Sequence, residues 1–369
     1  MRILPSVIAL AAAMQLFACG ESAPLDFEAG DVQTIVAAAG DQLHPYISGD
    51  WLVWFDLRDD PNGFCFMPSY SPDGEYDDSC DGRVRSMNLA TGESHILSDV
   101  IGYEVRPVVT AGLAAWRCQS DSGPGMCVTP VDRRQVTFFS GLGYSNYYYD
   151  GDKRPWVNGG YVAWAEYEYY PTTTVYRIKR ADLRSGQVED VMRLDDYPTE
   201  FVYFGSLMAW TGYFWDEGAY RYRLELSDSN TGASTLVVDG QDPAYGLGGH
   251  GGLLAFKQGS PDYDGQGGSA GGVHVFYRRP DGHVRRADSD AARVSEEGPL
   301  SVGDDLLVWL DHREGDYRVV ARDLKGGGEA IVSPPEAQIG AYMPPAVGAQ
   351  GIVWPDMRDG DFDLYMFRF

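Results

Sequence analysis

The stretch GIVWPDMRDG, from Gly351 to Gly360, decides the fold because its pattern occurs three times in the chain. The order Val-Trp-x-Asp-x-Arg-acid returns in LVWFDLRDD, from Leu52 to Asp60, and in LVWLDHREG, from Leu307 to Gly315. Three such matches are too many for chance in a chain of 369 residues. Internal repeats therefore have to be considered before any other organisation.

Aligning the chain on the tryptophan gives seven aromatic positions, each about 50 residues from the next. They are Trp54, Trp116, Trp164, Trp210, Phe256, Trp309 and Trp354. A proline and a glycine turn precede each of them, and most are followed by two segments joined by a turn that contains glycine. Glycine supplies the positive φ that hairpin turns require. Each repeat therefore predicts a four-stranded antiparallel unit, the size of a propeller blade.

The seventh repeat has only three predicted strands, and the last of them, Tyr365 to Phe369, would leave an open sheet edge. A spare strand, Asp31 to Val36, precedes the first repeat. Pairing of these two segments would remove an edge that invites aggregation. The sequence therefore predicts an all-β, seven-bladed β-propeller over residues 31–369, closed by an N-terminal strand that completes the last blade.

The repeats resemble the TolB-like periplasmic propeller repeat. Its pattern is a proline, a Gly turn, a buried aromatic residue, a D-x-R-like loop and a strand that ends in Tyr. The resemblance covers roughly Asp31 to Phe369 and implies the propeller architecture. It implies no particular activity, because propellers serve as lyases, hydrolases, receptors and scaffolds.

Residues 1–18 are predicted to be a targeting segment. Arg2 supplies the positive start, and the apolar run from Ile3 to Leu16 is too short to span a bilayer. Leu16-Phe17-Ala18-Cys19 resembles the lipobox of bacterial lipoproteins, which implies cleavage before Cys19 and acylation of that cysteine. An ordinary secretory leader with a chance cysteine is the alternative.

Residues 19–30 are expected to form a flexible linker after the lipidated Cys19. Gly20, in place of Asp, resembles lipoproteins that are passed on to the outer membrane. The expected location is therefore the outer membrane, with the protein facing the periplasm or the cell surface.

Four cysteines remain once Cys19 is assigned to lipid: Cys65, Cys80, Cys118 and Cys127. An even number in an exported chain predicts two disulfides, Cys65 with Cys80 and Cys118 with Cys127. Each would contribute about 3 kcal/mol by closing a short loop. A zinc site is the alternative, but the chain has no CxxC spacing to support it.

Without the leader the chain has 28 basic and 54 acidic side chains and a net charge of −26, because the leader contains Arg2 and no acid. Such a surface disfavours nucleic acid and anionic membranes, so membrane contact is expected through the lipid anchor only. No cofactor is predicted. Besides zinc, a calcium ion is considered, at Asp359 to Asp363 or in the acidic stretch from Ser71 to Gly82, and neither stretch follows the EF-hand order.

One face of the predicted propeller carries the candidate site, because the loop after each second strand and the connections between blades emerge there. Blades six, seven and one contribute pairs of charged residues: Asp56, Arg58, Asp311, Arg313, Asp356 and Arg358. The alternative is that each pair is an ion pair within its own loop and binds no ligand. Blades three and four and the connection before them contribute aromatic rings: Tyr147, Tyr148, Tyr149, Tyr167, Tyr169, Tyr170, Tyr213 and Trp215. The alternative is that these rings only pack the loops against the blades.

Clustered aromatic rings beside acidic residues suit stacking on sugars or anchoring of a partner protein. The six histidines show neither HxH nor HExxH spacing, and no catalytic residue is predicted. The sequence thus favours a lipid-anchored, non-catalytic binding or scaffold module for a glycan or protein partner. The alternative is a carbohydrate-active propeller enzyme, a polysaccharide lyase or glycosidase that uses carboxylates near the channel.

Overall fold

The computed structural model describes most of the repeat region: Leu25, Phe27 and residues 30–58, 82–99, 106–120, 123–140, 155–170, 173–194, 197–259, 272–296, 298–313, 315–326 and 328–369. Several predicted features lie outside these residues: the leader, Cys19, Cys65, Cys80, the calcium stretch before residue 82, and Tyr147, Tyr148 and Tyr149.

The described residues form 28 β-strands, and among them no helix is long and apolar enough to cross a membrane. The first strand stands before the repeats: β1 (Asp31–Val36). Blade one consists of β2 (Gln42–Ser48), β3 (Trp51–Asp56), β4 (Arg83–Asn88) and β5 (Ser94–Asp99). Blade two consists of β6 (Val108–Thr110), β7 (Leu113–Ser120), β8 (Gly123–Pro130) and β9 (Thr137–Ser140). Blade three consists of β10 (Trp156–Asn158), β11 (Tyr161–Tyr170), β12 (Thr173–Asp182) and β13 (Val188–Leu194).

The second half of the chain continues the same order. Blade four consists of β14 (Tyr197–Phe204), β15 (Leu207–Asp216), β16 (Ala219–Asp228) and β17 (Ser234–Gly240). Blade five consists of β18 (Ala244–His250), β19 (Leu253–Gln258), β20 (His274–Arg278) and β21 (Val284–Arg286). Blade six consists of β22 (Ser301–Val302), β23 (Leu306–Asp311), β24 (Arg318–Asp323) and β25 (Glu329–Ile331). Blade seven consists of β26 (Ala346–Gly348), β27 (Gly351–Asp356), β28 (Asp363–Arg368) and β1.

The blades form a closed ring. Each is a four-stranded antiparallel sheet, and the innermost strand of each blade contacts the innermost strand of the next. The series returns to its start, because β26 of blade seven contacts β2 of blade one. The predicted seven-bladed β-propeller is confirmed.

The N-terminal strand closes the last blade as predicted. β1 pairs with β28 in antiparallel register, from Asp31 opposite Arg368 to Val36 opposite Leu364. The second edge of β28 pairs with β27. Both edges of β28 are therefore occupied, and neither is left open for pairing with another chain.

Two residues of the predicted linker contact the propeller. The N–H of Leu25 donates to Asp323 Oδ2 at 3.1 Å, and the ring centroid of Phe27 lies 6.4 Å from that of Phe367. Both side chains pack against the apolar core between blades six and seven. Part of the predicted linker is therefore bound to the propeller. The predicted boundary between linker and propeller at residue 31 stays a prediction.

The aromatic residue of each repeat lies in the second strand of its blade and is buried between neighbouring blades. Their exposed fractions run from 0% to 4%, for Trp54, Trp116, Trp164, Trp210, Phe256, Trp309 and Trp354. Burying an aromatic side chain contributes roughly 1.5–3 kcal/mol. The repeated aromatic residue is therefore a blade-to-blade packing residue.

The turns after the third strands depend on glycine at a fixed place. In blade one the Asn88 side chain accepts the N–H groups of Ala90 and Thr91, and Gly92 follows with a φ of 75°. Blades three and four repeat this arrangement with Asp182 and Asp228 in the place of Asn88. A residue with a side chain is strained at that φ, so these glycines fix the hairpin register.

One of the two predicted disulfides lies within the described residues. Cys118 of β7 and Cys127 of β8 are bonded, with their Cα atoms 5.8 Å apart. The bond joins two strands that are already paired. The disulfide therefore cross-links the two central strands of blade two.

Two acidic side chains at the junction of blades seven and one have raised pKa values. Burial raises the pKa of Asp363, and the neighbouring carboxylates of Asp359 and Asp361 raise it further. Burial likewise raises the pKa of Asp41. The folded protein holds these protons more tightly than the unfolded chain, so ionisation of these two groups costs stability as the pH rises through the raised pKa values.

The variant Asp363→Asn removes one of these charges and keeps an oxygen for the N–H of Ala38, which donates to Asp363 Oδ1 at 3.3 Å. We expect the variant to melt higher than the wild type at pH 7, and the difference to shrink as the pH falls through the raised pKa. Thermal melts across that range would measure it. A difference that stays constant with pH would contradict the assignment.

Candidate functional site

The strands run between two faces of the ring. We call the face where second strands lead into third strands, and where blades connect, the connection face; the face with the turns between first and second strands is the turn face. A central channel of about 180 Å³ is lined by residues of all seven inner strands. Its polar side chains include Ser48, Thr110, Asn158, His250 and Ser301. Aromatic residues line it as well, and its described lining contains no Asp or Glu residue.

The three predicted charged pairs are each closed within one loop. Arg58 Nε donates to Asp56 at 2.7 Å, Arg313 Nε to Asp311 at 2.9 Å, and Arg358 Nε to Asp356 at 2.9 Å. The indole N–H of the repeat tryptophan donates to the same carboxylate, at 2.9 Å, 3.4 Å and 3.3 Å respectively. The Asp-x-Arg motif therefore braces the end of each second strand.

Burial and electrostatics agree with that bracing role. The three carboxylates are 0% to 1% exposed. Hydrogen bonding to Asp311, and then to Glu329, raises the pKa of Arg313 against the opposing effect of burial. A ligand would have to displace these arginines to reach the carboxylates. The prediction that the six charged residues bind a ligand therefore has no support from their geometry.

Two hairpins project from the connection face. β11 with β12 in blade three, and β15 with β16 in blade four, have ten residues in each strand, whereas β3 and β23 have six. The blade-four hairpin turns at Glu217 and Gly218, which have φ values of 47° and 88°. Two successive residues with positive φ match the twist of the flanking strands, so the strands stay paired to the tip.

The blade-four hairpin has four aromatic rings on one of its faces, which we call the aromatic platform: Tyr213, Trp215, Tyr220 and Tyr222. Cross-strand pairing places Tyr213 opposite Tyr222 and Trp215 opposite Tyr220. The ring centroids of Trp215 and Tyr220 are 4.8 Å apart, and those of Tyr213 and Tyr220 are 5.5 Å apart. Trp215 is 64% exposed and Tyr220 is 54% exposed, so the platform is open to solvent.

The platform faces blade five. Leu224 pairs with Thr211 and lies on the same hairpin face, closer to the body of the blade. It packs in one core cluster with Leu254 and Phe256 of blade five. The rings of the platform therefore continue that packed face outward, beyond the point where the two blades touch.

The remaining predicted aromatic residues are only partly placed. Tyr167, Tyr169 and Tyr170 belong to β11, and their backbones pair with β12. Of the predicted aromatic set, Tyr213 and Trp215 are brought together. Tyr220 and Tyr222 were not predicted, although the alternation in AYRYRLEL, from Ala219 to Leu226, was the signal for them.

Two of the acids beside the rings, Glu166 and Asp216, have basic partners. Lys179 Nζ lies 2.7 Å from Glu166 Oε2, and Arg221 bridges Asp216 at 3.4 Å and Asp239 at 3.0 Å. Within the described residues, no group of three or more His, Cys, Asp or Glu side chains is arranged to hold a metal ion. The calcium site stays a prediction.

No model of a known protein family matches the chain, and no curated protein sequence matches it. Solved structures do resemble it. An acylaminoacyl peptidase from Pyrococcus horikoshii has a TM-score of 0.63 at 9% identity, over 89% of this chain and 51% of that one. The propeller domain of the Trilobed protease from Pyrococcus furiosus has a TM-score of 0.60 at 9% identity, over 90% and 94%. An oligogalacturonate lyase in complex with manganese has a TM-score of 0.56 at 13% identity, over 92% and 93%.

These likenesses establish the propeller fold. The chain spans about half the length of the acylaminoacyl peptidase and nearly all of the lyase. The Trilobed protease propeller is described as having an open velcro topology, whereas here β1 completes the last blade.

The comparisons contradict the predicted non-catalytic binding or scaffold role. The propellers of similar shape come from enzymes, namely acylaminoacyl peptidases, puromycin hydrolase and oligogalacturonate lyase. The prediction went wrong because it weighed short catalytic motifs, and a propeller site is assembled from several blades without one. The alternative, a carbohydrate-active propeller enzyme, is better supported.

Proposed function

We propose that the protein is a carbohydrate-active enzyme that binds a sugar chain across the aromatic platform. The observation that carries the proposal is the exposure of Trp215 and Tyr220 in contact with each other on a projecting hairpin. Single exposed apolar side chains are common, but a contiguous exposed group marks a binding surface. Sugar rings have apolar C–H faces that stack on such rings, while their hydroxyl groups stay hydrated.

One of the structural neighbours, the oligogalacturonate lyase, supports a sugar chain as the ligand. The acylaminoacyl peptidase continues for about half its length beyond the part that this chain covers. The oligogalacturonate lyase is covered almost end to end, so a propeller of this size suffices for that enzyme.

The described residues here offer no site for the manganese ion that the lyase structure contains. They offer no group of three or more His, Cys, Asp or Glu side chains that could hold a metal ion, and Glu166 and Asp216 are bound by Lys179 and Arg221. We therefore derive no step through a metal ion.

The test compares Trp215→Ala with Tyr342→Ala, a second exposed aromatic residue that lies in the connection between blades six and seven and is 61% exposed. The probes are oligogalacturonate, alginate, xylan and cellulose oligosaccharides. We expect at least one probe to bind and be cleaved, with affinity reduced roughly tenfold or more by Trp215→Ala, because stacking and burial of the indole are lost. Tyr342→Ala should behave as the wild type.

Calorimetry would measure binding, and chromatography of the products would measure cleavage. The proposal fails if no probe is bound or cleaved. It also fails if Trp215→Ala binds and cleaves as well as the wild type.

A further inference from the structure

The junction of blades four and five has a second wall opposite the aromatic platform. Phe276 of β20 stacks on Phe256 of β19 at 5.7 Å, and both pack with Leu224 of blade four. Side chains alternate along a strand, so His274 lies on the same face of β20 as Phe276, one step nearer the connection face. The two rings contact each other edge to face at 6.5 Å.

The platform stands above Leu224 on blade four, and His274 stands above Phe276 on blade five. Because Leu224 and Phe276 belong to one cluster, the platform and His274 lie on the two sides of the same blade junction. At the connection face this junction has aromatic rings on the blade-four side and an imidazole on the blade-five side.

A buried carboxylate fixes the protonation pattern of His274. Its Nδ1 lies 3.0 Å from Asp288 Oδ2, and the Asp288 side chain is fully buried. The same carboxylate accepts the N–H of Val275 at 2.8 Å and Arg286 Nη2 at 2.9 Å. An ionised carboxylate only accepts, so Nδ1 carries the proton and Nε2 of the neutral ring has a free lone pair.

The Nε2 atom is available to a substrate. The His274 side chain is 35% exposed. In the parts of the chain that the structure describes, no hydrogen-bond partner reaches Nε2. Asp288 would stabilise the imidazolium that forms when Nε2 accepts a proton.

We propose that His274 is the proton acceptor of the site and that the sugar chain lies across the junction of blades four and five. This inference rests on the proposed function and deepens it. It places the chemistry at the rim of the ring and not in the central channel, whose described lining contains no Asp or Glu residue.

Among the described residues, the carboxylates near the platform favour one class of reaction. Hydrolysis of a glycosidic bond commonly uses two carboxyl groups that flank it. Here Asp288 is bound by His274 and Arg286, and Asp216 and Asp239 are bound by Arg221. A single imidazole base fits β-elimination, which acts on a uronic acid residue because its carboxylate acidifies the neighbouring C–H bond.

The elimination balances without a co-reactant. Nε2 takes the proton from the carbon that bears the carboxylate, and the electron pair of that C–H bond forms a carbon–carbon double bond. The adjacent C–O bond to the next sugar breaks, and the leaving oxygen keeps its electron pair. That oxygen then takes the proton back from the imidazolium, so the enzyme is regenerated and no water is consumed.

The test uses His274→Gln, Asp288→Asn and the control His283→Gln, which makes the same change in the exposed turn at the opposite end of blade five. The probes are oligogalacturonates and alginate oligosaccharides. We expect His274→Gln to bind them within about twofold of the wild type but to form unsaturated product at least 100-fold more slowly. His283→Gln should be unchanged.

Asp288 is a positioning residue, and its role shows in the pH profile of turnover. Asp288→Asn should slow the reaction and move its dependence on pH, because the imidazolium loses its anionic partner. Melting temperatures of all variants distinguish lost folding from lost chemistry. A His274→Gln protein that forms unsaturated product at the wild-type rate overturns the proposal.

The two proposals fail in different ways. A wild-type protein that binds a probe through Trp215 and forms no unsaturated product overturns the role of His274 but leaves the sugar site. A wild-type protein that neither binds nor cleaves any probe of the panel overturns the proposed function as well.

Discussion

Removal of β1 should open the ring and lower the melting temperature on the order of 10 °C. Val32, Ile35 and Val36 of this strand are partly buried against blade seven. Losing these contacts costs about 3–5 kcal/mol. The loss also exposes the edge of β28, so aggregation on heating should accompany the lower melting temperature.

Two truncated proteins with the same export leader isolate this effect. One begins at Gly30 and keeps β1; the other begins at Ala37 and lacks it. Both lack Leu25 and Phe27, so the comparison removes the contribution of their contacts. Equal melting temperatures and equal solubility would show that β1 does not hold the ring closed.

Replacing Asp356 by Ala should destabilise the protein by about 3–5 kcal/mol, because it leaves a partly buried arginine without its anion. Asp356 is fully buried and accepts from Trp354 Nε1, from Arg358 Nε, and from the N–H of Gln338 at 2.9 Å. All three donors would lose their acceptor at once. Denaturant unfolding would measure the loss.

The matched control is Asp216→Ala, which also removes an aspartate from an arginine. Its pair with Arg221 is at the surface, with side chains 41% and 39% exposed. Exposed ion pairs contribute less than about 1 kcal/mol. If the two substitutions cost the same, the Asp-x-Arg motif is a surface ion pair and not a buried brace of the blade.

The fold was predictable because one physical requirement repeats seven times. Each second strand must bury a large aromatic side chain between two blades, so the residue recurs at the same place, as at Trp116 and Trp309. Closure by β1 was predictable because a three-stranded last blade implies a missing partner. In both cases a local pattern and the global fold impose the same constraint.

The candidate site was only partly predictable, because its members meet through hairpin register. Tyr220 joins Trp215 only because the turn at Glu217 and Gly218 sets which residues are opposite. His274 and Asp288 are 14 residues apart and belong to no short motif. Their meeting depends on the path of the chain around β21, which residue spacing does not encode. The non-catalytic role was predicted because the sequence shows no short catalytic motif, and the comparisons contradict it.

The direction of β1 controls how a tethered propeller would be oriented. Asp31 pairs with Arg368, which in turn pairs with Gly351 at the start of β27, so the chain enters the ring at the turn face. With Leu25 docked, a lipid on Cys19 would be at most about 20 Å of extended chain away. If Cys19 is acylated as predicted, the turn face would be the face nearer the bilayer, and the proposed sugar site would open toward the aqueous side.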